Sequence, residues 1–350
     1  MTFASRAPDA IEVIAPNLKR RLSGVTTTVV RLVPLQARLI GIVTTGPGLP
    51  PHLPHLPLWR CFILPRDRWR VWHARRNTEM VLGLILRHLF RRRLKLLFTS
   101  AAQRRHKGFT RWLIRKMDRV VATSAQAASY LEVPATVVMH GVDCDIFHPA
   151  EDRPALRRAL GLDEEALLIG CFGRVRAQKG VDLLVDAALA LLPSRPLVQV
   201  LFTGRVTDDQ RGFYEAEQAR LLAAGLDGRV RFLGELDWDA VAQHYRVLDL
   251  FCAPARWEGF GLTPLEAMAS GVPVVAARVG AFEALIHEGE TGSLVPPGDA
   301  AALAEAIRHW IDDPARMAQG ARAARAHVEV NHRIEAEADC LVAIYHEMLA

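Results

Sequence analysis

Two pairs of charged residues in the second half of this sequence have types and spacings suited to one task. Arg174 and Lys179 lie five positions apart in Gly-Cys-Phe-Gly-Arg-Val-Arg-Ala-Gln-Lys-Gly (170–180). An apolar run ends at Phe172, Gly173 permits a tight turn, and a helical pattern opens near Gly180. A strand, a glycine turn and a helix N-terminus form an anion cradle. There arginine offers a two-pronged fork to phosphate and lysine a point charge. Glu258 and Glu266 lie eight positions apart in Arg-Trp-Glu-Gly-Phe-Gly-Leu-Thr-Pro-Leu-Glu (256–266). The turn Gly259, Phe260, Gly261, Leu262, Thr263 lets backbone N–H groups come close to a phosphate, and Pro264 suits an early helical position. A carboxylate can bridge two vicinal hydroxyls, as on a ribose or a hexose. Taken singly, each feature has a plainer reading: basic loops are common, and the helix dipole favours carboxylates in any first turn.

The elements that must position these residues are legible as alternating apolar, β-branched runs and longer helical patterns, the signature of α/β folds with parallel sheets. Strand-like runs fall at Ile11–Ala15, Leu39–Val43, Trp69–His73, Leu94–Thr99, Arg119–Ala122 and Thr136–Met139. They resume at Leu167–Phe172, Leu197–Thr203, Val230–Leu233, Leu250–Ala253 and Val274–Ala276, with helical patterns between them such as Val181–Leu192 and Thr263–Ala269. Prolines at 47, 50, 51, 54 and 57 make that stretch a loop. The polar run from Asp143 to Arg153 separates the two sets, so the sequence predicts one domain over 1–149 and a second over 150–325. A closing segment, 326–350, places apolar residues at 334, 338, 341, 345 and 348, one face of a terminal helix expected to pack back on the first domain.

Composition narrows the function classes. With 350 residues, half of them hydrophobic and 23% charged, the chain can bury two ordinary cores. No apolar stretch is long enough to span a membrane; the nearest, Met80–Phe90, is broken by Arg87 and His88. That stretch, followed by Arg91-Arg92-Arg93, reads either as a helix touching a membrane surface or as a buried helix with a basic end. The N-terminus lacks a positive region leading into an apolar one, so a cytoplasmic location without a secretory leader is expected. Five widely spaced cysteines with no CxxC pair read as reduced thiols. Residues 1–149 hold 24 Lys and Arg against 8 Asp and Glu, a net +16, whereas the remainder nets −10. A basic half joined to an acidic half points to an anionic partner for the first.

Together, Gly173-Arg174…Lys179-Gly180 and Glu258…Glu266 resemble the family-4 glycosyltransferases of GT-B architecture. Further matches are His140-Gly-Val-Asp143…Phe147-His-Pro149, Gly271-Val-Pro-Val-Val275 and Glu288-Gly-Glu-Thr-Gly292-Ser-Leu-Val-Pro-Pro-Gly298. The resemblance is strong over roughly 136–300 and weaker before it. It implies an α/β fold of two Rossmann-like parallel-sheet domains facing a cleft, with the second domain binding a nucleotide-sugar donor. It implies that Arg174 and Lys179 clamp the diphosphate, Glu266 binds the ribose hydroxyls and Glu258 contacts the donor sugar near its reacting carbon. Gly173, Gly204, Gly259, Phe260, Gly261, Leu262 and Thr263 would line the donor site, and Arg231 would border the base. The family retains anomeric configuration and generally needs neither metal nor other cofactor. Asp143-Cys144-Asp145 mimics the metal motif of a different transferase fold but lies inside the junction motif, so no metal role is assigned.

The first domain carries the substrate's identity and is harder to read. Leu22-Ser23-Gly24-Val25 looks like the family's glycine-bearing loop. Many members end a strand in a Phe-His-Thr-like segment; here the match is Phe98-Thr99-Ser100, without the histidine. His73 and His106 are the substitutes at hand, each with a structural or surface reading beside it. The stretches 72–80 and 98–108 place His73, Arg75, Arg76, Ser100, Arg104 and Arg105 just beyond strand ends, where open α/β sheets bind ligands. They are similar to those of lipopolysaccharide-core mannosyltransferases. That resemblance implies GDP-mannose as donor, a lipid-linked anionic acceptor ending in Kdo, and peripheral contact with the inner face of the inner membrane. Alternatives remain: a UDP donor carrying glucose or GlcNAc to another envelope glycan, or a sugar-nucleotide epimerase of the same fold. A basic nucleic-acid-binding protein is disfavoured because no such motif appears and the cations are not interleaved with exposed aromatics. A dinucleotide enzyme built on Gly170-Cys-Phe-Gly173 lacks GxGxxG and its acidic partner.

Overall fold

The computed structural model describes residues 10–19 and 24–350 of the chain. They divide into two compact units, each a parallel six-stranded sheet covered on both faces by helices. The first unit comprises the residues up to Gly141 together with Ile334–Ala350; the second is Val142–Arg333.

In the first unit the strands are β1 (Val13–Pro16), β2 (Ile42–Thr45), β3 (Arg70–Ala74), β4 (Leu94–Ser100), β5 (Arg119–Ala122) and β6 (Thr136–Val137), in the order β2-β1-β3-β4-β5-β6. Strands such as Val-Ile-Ala-Pro and Ile-Val-Thr-Thr are buried along their whole length, as sheets covered on both faces require. One face is covered by α1 (Gly24–Gln36) and α13 (Ile334–Leu349), where Val29, Leu32, Val33, Ile334, Ala338, Leu341 and Tyr345 pack on Val13, Val71, Leu97 and Val121. The other is covered by α2 (Asn77–His88) and α3 (Gly108–Ile114), through Met80, Leu86, Leu113 and Ile114. A short α4 (Ala125–Ser129) follows β5, and the Ser124 hydroxyl caps it by accepting from Ala127 N–H.

In the second unit, α5 (Arg153–Ala159) precedes β7 (Leu167–Phe172), α6 (Val181–Leu191), β8 (Val198–Thr203), α7 (Arg211–Ala223) and β9 (Val230–Phe232). There follow α8 (Trp238–Arg246), β10 (Leu250–Ala253), α9 (Thr263–Ala269), β11 (Val274–Ala277), α10 (Phe282–Leu285), β12 (Gly292–Val295), α11 (Ala300–Ile311) and α12 (Pro314–Asn331). The order is β12-β11-β10-β7-β8-β9, the Rossmann arrangement, all parallel. Aspartates start the helices: Asp152, Asp237, Asp299 and Asp313 each accept a hydrogen bond from a first-turn N–H. The core between the sheet and α6 and α11 centres on Ile169, Val200, Leu184, Leu303, Ile307 and Trp310, whose indole N–H donates to Ser293 Oγ at 3.0 Å.

Three sequence readings shift. Strand β12 was absent from the expected set, because Gly-Ser-Leu-Val between glycine and two prolines reads as loop; its neighbour β11 makes it a strand. Gly292 is needed there, since a Cβ would stand 1.9 Å from Val274 O. Strand β2 begins three residues later than expected. Finally, the changeover between units falls at 141/142 and 333/334, against the expected 149/150 and 325/326. The Asp143–Pro149 run packs inside the second unit. There Phe147 meets Trp238 and Tyr245, and Arg325 donates to the carbonyls of Phe147 and Ala269.

Candidate functional site

In a doubly wound sheet, ligands bind beyond the carboxyl ends of the strands where the strand order reverses. In the second unit that point lies between β7 and β10, which pair through Leu250–Ile169 and Phe251–Gly170. The loop after β7 carries Gly173, Arg174 and Lys179; the loop after β10 carries Glu258. Topology alone therefore brings the two sequence segments together.

Local chemistry then fixes the contact. Gly173 and Gly204 both hold positive φ (133° and 137°), and a Cβ on Gly204 would stand 2.0 Å from Gly173 O. Gly204 thus serves the site by letting the β8 end press against the β7 turn. Gly180 plays the same part at the start of α6, where a Cβ would meet Pro254 O at 2.0 Å. The Arg256 guanidinium forks onto Asp182 at 2.8 and 2.6 Å, and its backbone N–H donates to Gln178 O at 2.9 Å. Gln178 returns a bond to Trp257 O at 3.0 Å. With the loops stitched in this way, the Lys179 ammonium pairs with the Glu258 carboxylate, whose other oxygen accepts from Gly259 N–H at 3.0 Å. One pocket is lined by Gly173, Arg174, Lys179, Glu258 and Thr263, with Cys171 and Cys252 on its floor. Burial pushes the Cys171 thiol up to about 12, so it stays protonated.

The remaining expected residues separate. Gly261 holds φ 82°, a Cβ there would also strike the Phe282 ring at 2.5 Å, and Leu262 O accepts from Glu266 N–H. Phe260 is buried, so its side chain belongs to the core and only its backbone is left for a ligand. Glu266 is also buried, accepting from the Tyr245 hydroxyl at 3.1 Å. Arg231 stands mid-strand in β9, separated from β7 by β8. Sequence reasoning missed Arg176. Its backbone is extended (φ −171°, ψ 156°), and its Nε is buried with no hydrogen-bond partner among the described residues. Burial and the neighbouring Arg174 charge lower its pKa, while Glu258 opposes them. The signal was available: Arg176 is a further arginine on the same cation-bearing loop, two positions after Arg174. Arg256 and Asp182 carried no sequence signal, because their pairing is a product of topology.

The first unit treats its candidates unequally. His73 is fully buried, with Nδ1 on the Tyr345 hydroxyl (2.7 Å) and Nε2 on Thr99 Oγ1 (2.6 Å). Burial, then the nearby Arg75 charge, holds its pKa well below the usual range, so it is a neutral strut between β3, β4 and α13. Arg76 is likewise structural: its guanidinium meets Glu79, Asn17 and Thr26 at 2.8–3.0 Å. Arg75 lines a small pocket with His73, Thr99, His140 and Glu337. Ser100 is buried and shares a 3.2 Å contact with His106, while Arg104 and Arg105 lie exposed. Gly24 is the first residue of α1, and Leu22 and Ser23 lie outside the described residues. The exposed Phe109 and Trp112 lie among cations, which corrects the expectation that aromatics and basic residues are not interleaved.

The family model for glycosyl transferases group 1 matches residues 152–327. The chain is a group 1 glycosyltransferase. Residues of the match lie within the second unit, and full-length relatives extend it across the first. The glycosyltransferase is 52% identical over 347 residues to the lipopolysaccharide core biosynthesis mannosyltransferase LpcC of Rhizobium leguminosarum bv. viciae, covering 97% of each chain. It is 48% identical to the corresponding enzyme LpsB of Rhizobium meliloti, covering 97% of this chain and 98% of that one. Its fold is shared with Anabaena HepE, solved in complex with UDP and glucose, at a TM-score of 0.82 and 19% identity over 96% of this chain and all of that one. In this glycosyltransferase Asp143 Oδ1 accepts from the N–H groups of Asp145 and Ile146 at 3.0 and 3.2 Å, the geometry of a turn cap. Among the described residues no helix is long and apolar enough to cross a membrane.

Proposed function

We propose that the enzyme is a retaining mannosyltransferase that carries mannose from GDP-mannose to the Kdo residue of a lipid-linked lipopolysaccharide inner core. The observation that carries this reading is the identity of about half to the two rhizobial core mannosyltransferases across nearly the whole chain. The Lys179–Glu258 pocket is its chemical counterpart. In the proposed reaction the bond from the anomeric carbon to the diphosphate breaks, and negative charge grows on the departing phosphate. Arg174 and Lys179 stabilise that charge more in the transition state than in the ground state. The acceptor hydroxyl attacks from the face the diphosphate leaves, giving up its proton to a phosphate oxygen. Glu258 contacts the donor sugar, and Glu266, held by Tyr245, takes the ribose hydroxyls.

A thermal-shift panel with GDP-mannose, UDP-glucose, UDP-GlcNAc and the free nucleotides tests the donor. A donor at 100 times its Kd stabilises the folded state by about 2.7 kcal/mol, and GDP-mannose is expected to give the largest shift. Stabilisation by a UDP sugar and none by GDP-mannose overturns the donor assignment. Because two cations are assigned to the diphosphate, EDTA is expected to leave transfer activity in place; a strict Mg²⁺ or Mn²⁺ requirement counts against the clamp.

Arg256 and Asp182 are assigned the task of holding the two loops in register. Arg256→Ala is expected to lower kcat/KM roughly 10-fold to 10²-fold through misplacement of Glu258, with Arg256→Lys intermediate. Wild-type kinetics in a folded Arg256→Ala protein would remove that role.

For the acceptor, reversing Arg104 and Arg105 to Glu is expected to raise the apparent acceptor KM roughly tenfold at low salt and to flatten its salt dependence. Donor affinity should stay unchanged. The measurement is transfer from labelled GDP-mannose to Kdo-lipid A at several salt concentrations. Equal transfer to a neutral soluble sugar, with no salt dependence, overturns the anionic acceptor.

A further inference from the structure

A small polar pocket in the first unit has no part in the donor chemistry, whose assigned residues all stand in the second. It lies at the carboxyl edge of the sheet, where open α/β sheets take ligands. Arg75 stands just past β3, Thr99 near the end of β4 and His140 past β6, with Glu337 of α13 beside the histidine. Val121, Val138 and Leu341 give the pocket apolar walls. Its free space is that of about one water molecule. Such a space admits a single hydroxyl group and excludes a sugar ring.

The two polar groups that matter are each held by a partner. His140 Nδ1 lies 2.7 Å from Glu337 Oε1, and the other carboxylate oxygen accepts from Gly141 N–H at 2.8 Å. A carboxylate only accepts, so the neutral His140 ring carries its hydrogen on Nδ1, which makes Nε2 its acceptor. Thr99 is set by His73. The Arg75 guanidinium, which only donates, stands 3.3 Å from His73 Nδ1, and the Tyr345 hydroxyl stands 2.7 Å from it. His73 therefore carries its hydrogen on Nε2 and gives it to Thr99 Oγ1 at 2.6 Å. With its oxygen accepting in this way, Thr99 has its hydroxyl hydrogen to offer.

The pocket thus pairs one acceptor, the His140 ring, with one donor, the Thr99 hydroxyl. A sugar hydroxyl is the complement, because it both gives and receives a hydrogen bond. A carboxylate or a diphosphate has no hydrogen to give to His140, and an ammonium cannot accept one from Thr99. We propose that His140 and Thr99 hold one hydroxyl of the acceptor sugar, a hydroxyl that does not itself react, with Glu337 and His73 as the positioning residues behind them. The acceptor is the substrate concerned because the residues assigned to the donor, Arg174, Lys179, Glu258 and Glu266, belong to the other unit. Sequence reasoning weighed His73 and His106 as substrate-facing histidines; the pocket gives that part to His140. The inference rests on the acceptor reading above for the identity of the sugar.

The test is steady-state transfer from GDP-mannose to Kdo-lipid A. His140→Ala and the near-isosteric Thr99→Val are each expected to raise the acceptor KM roughly tenfold. The donor KM and the donor-induced thermal shift should stay at wild-type levels. Added imidazole is expected to restore part of the loss in His140→Ala and none in Thr99→Val. Glu337→Gln should raise the acceptor KM by a smaller factor and show no response to imidazole, because its ring is still in place. A wild-type acceptor KM in both His140→Ala and Thr99→Val overturns the proposal. So does a lower denaturation midpoint and kcat with the acceptor KM unchanged, the result for a pair that only braces α13 against the end of β6. Should His140→Ala not fold, Thr99→Val decides alone. If wild type uses another donor or another acceptor sugar, the proposed function fails by itself, and the same variants measured on that reaction decide the His140 contact by the same ratios.

Discussion

Replacing Lys179 by alanine is expected to lower turnover roughly 10²-fold or more, with Arg174→Ala close behind, since each removes a cation from the phosphate on which charge develops. The fold should tolerate both changes. Each residue lies on the loop between β7 and α6, and that loop is held by Gly173 N–H on Thr203 O and by the Arg256–Asp182 fork, neither of which involves these side chains. The Lys179–Glu258 pair sharpens the expectation. Donor phosphate must draw the ammonium at least partly from Glu258, so Lys179→Ala leaves a carboxylate facing an incoming anion. Adding Glu258→Gln to Lys179→Ala should then restore part of the lost donor affinity but none of the turnover. Steady-state kinetics and donor titration on proteins with unchanged circular dichroism make the measurement. Near-normal kcat/KM in both single variants would defeat the donor-site assignment.

Glu79→Ala is the second large effect, and it falls on stability. The Glu79 side chain is completely buried in the first unit and accepts from Arg76 Nη1 and Arg75 N–H, both at 2.8 Å. Arg76 in turn reaches Asn17 and Thr26, so one carboxylate ties the β1 and β3 ends to the start of α1. Breaking a buried pair from one side costs about 3–5 kcal/mol, a large share of the roughly 5–15 kcal/mol that holds a domain together. A chemical-denaturation midpoint equal to wild type would show that Arg76 does not brace the fold. Arg76→Ala should destabilise as well; were Arg76 an acceptor contact, that variant would keep its midpoint and raise only the acceptor KM.

The contrast between Arg76 and Arg174 measures how far sequence reasoning reaches. Both are arginines just beyond a strand end, and both were expected to meet substrate. For Arg174 the neighbours in sequence sufficed to place it, because a glycine turn and a helix start put it on the loop after β7, where it lines the pocket with Lys179 and Glu258. For Arg76 the deciding partners are Asn17 and Thr26, 59 and 50 positions away, and only the strand order β2-β1-β3 brings them close. For His73 the fold realises the structural one of its two readings, for the same reason: a histidine at a strand end looks available until Tyr345, 272 positions on, occupies its ring nitrogen. The strands themselves were mostly legible, since runs buried on both faces need no partner to declare their apolar character. Strand β12, four residues long with glycine at its head, depended on β11 and was lost.

The closing helix of the first unit also bears on how the protein is made. Helix α13 fills the core beside α1, yet 192 residues of the second unit separate it from Gly141. At synthesis rates of about 5–20 residues per second, roughly 10–40 s pass between the emergence of β6 and that of α13. Through that interval the sheet face of Val13, Val71, Leu97 and Val121 lacks half of its cover. The second unit, contiguous in the chain, can fold on the ribosome as it appears, whereas the first must wait for α13 to emerge. The nascent chain is thus exposed to chaperones on its earlier half for longer than on its later half, an inversion of the usual vectorial order.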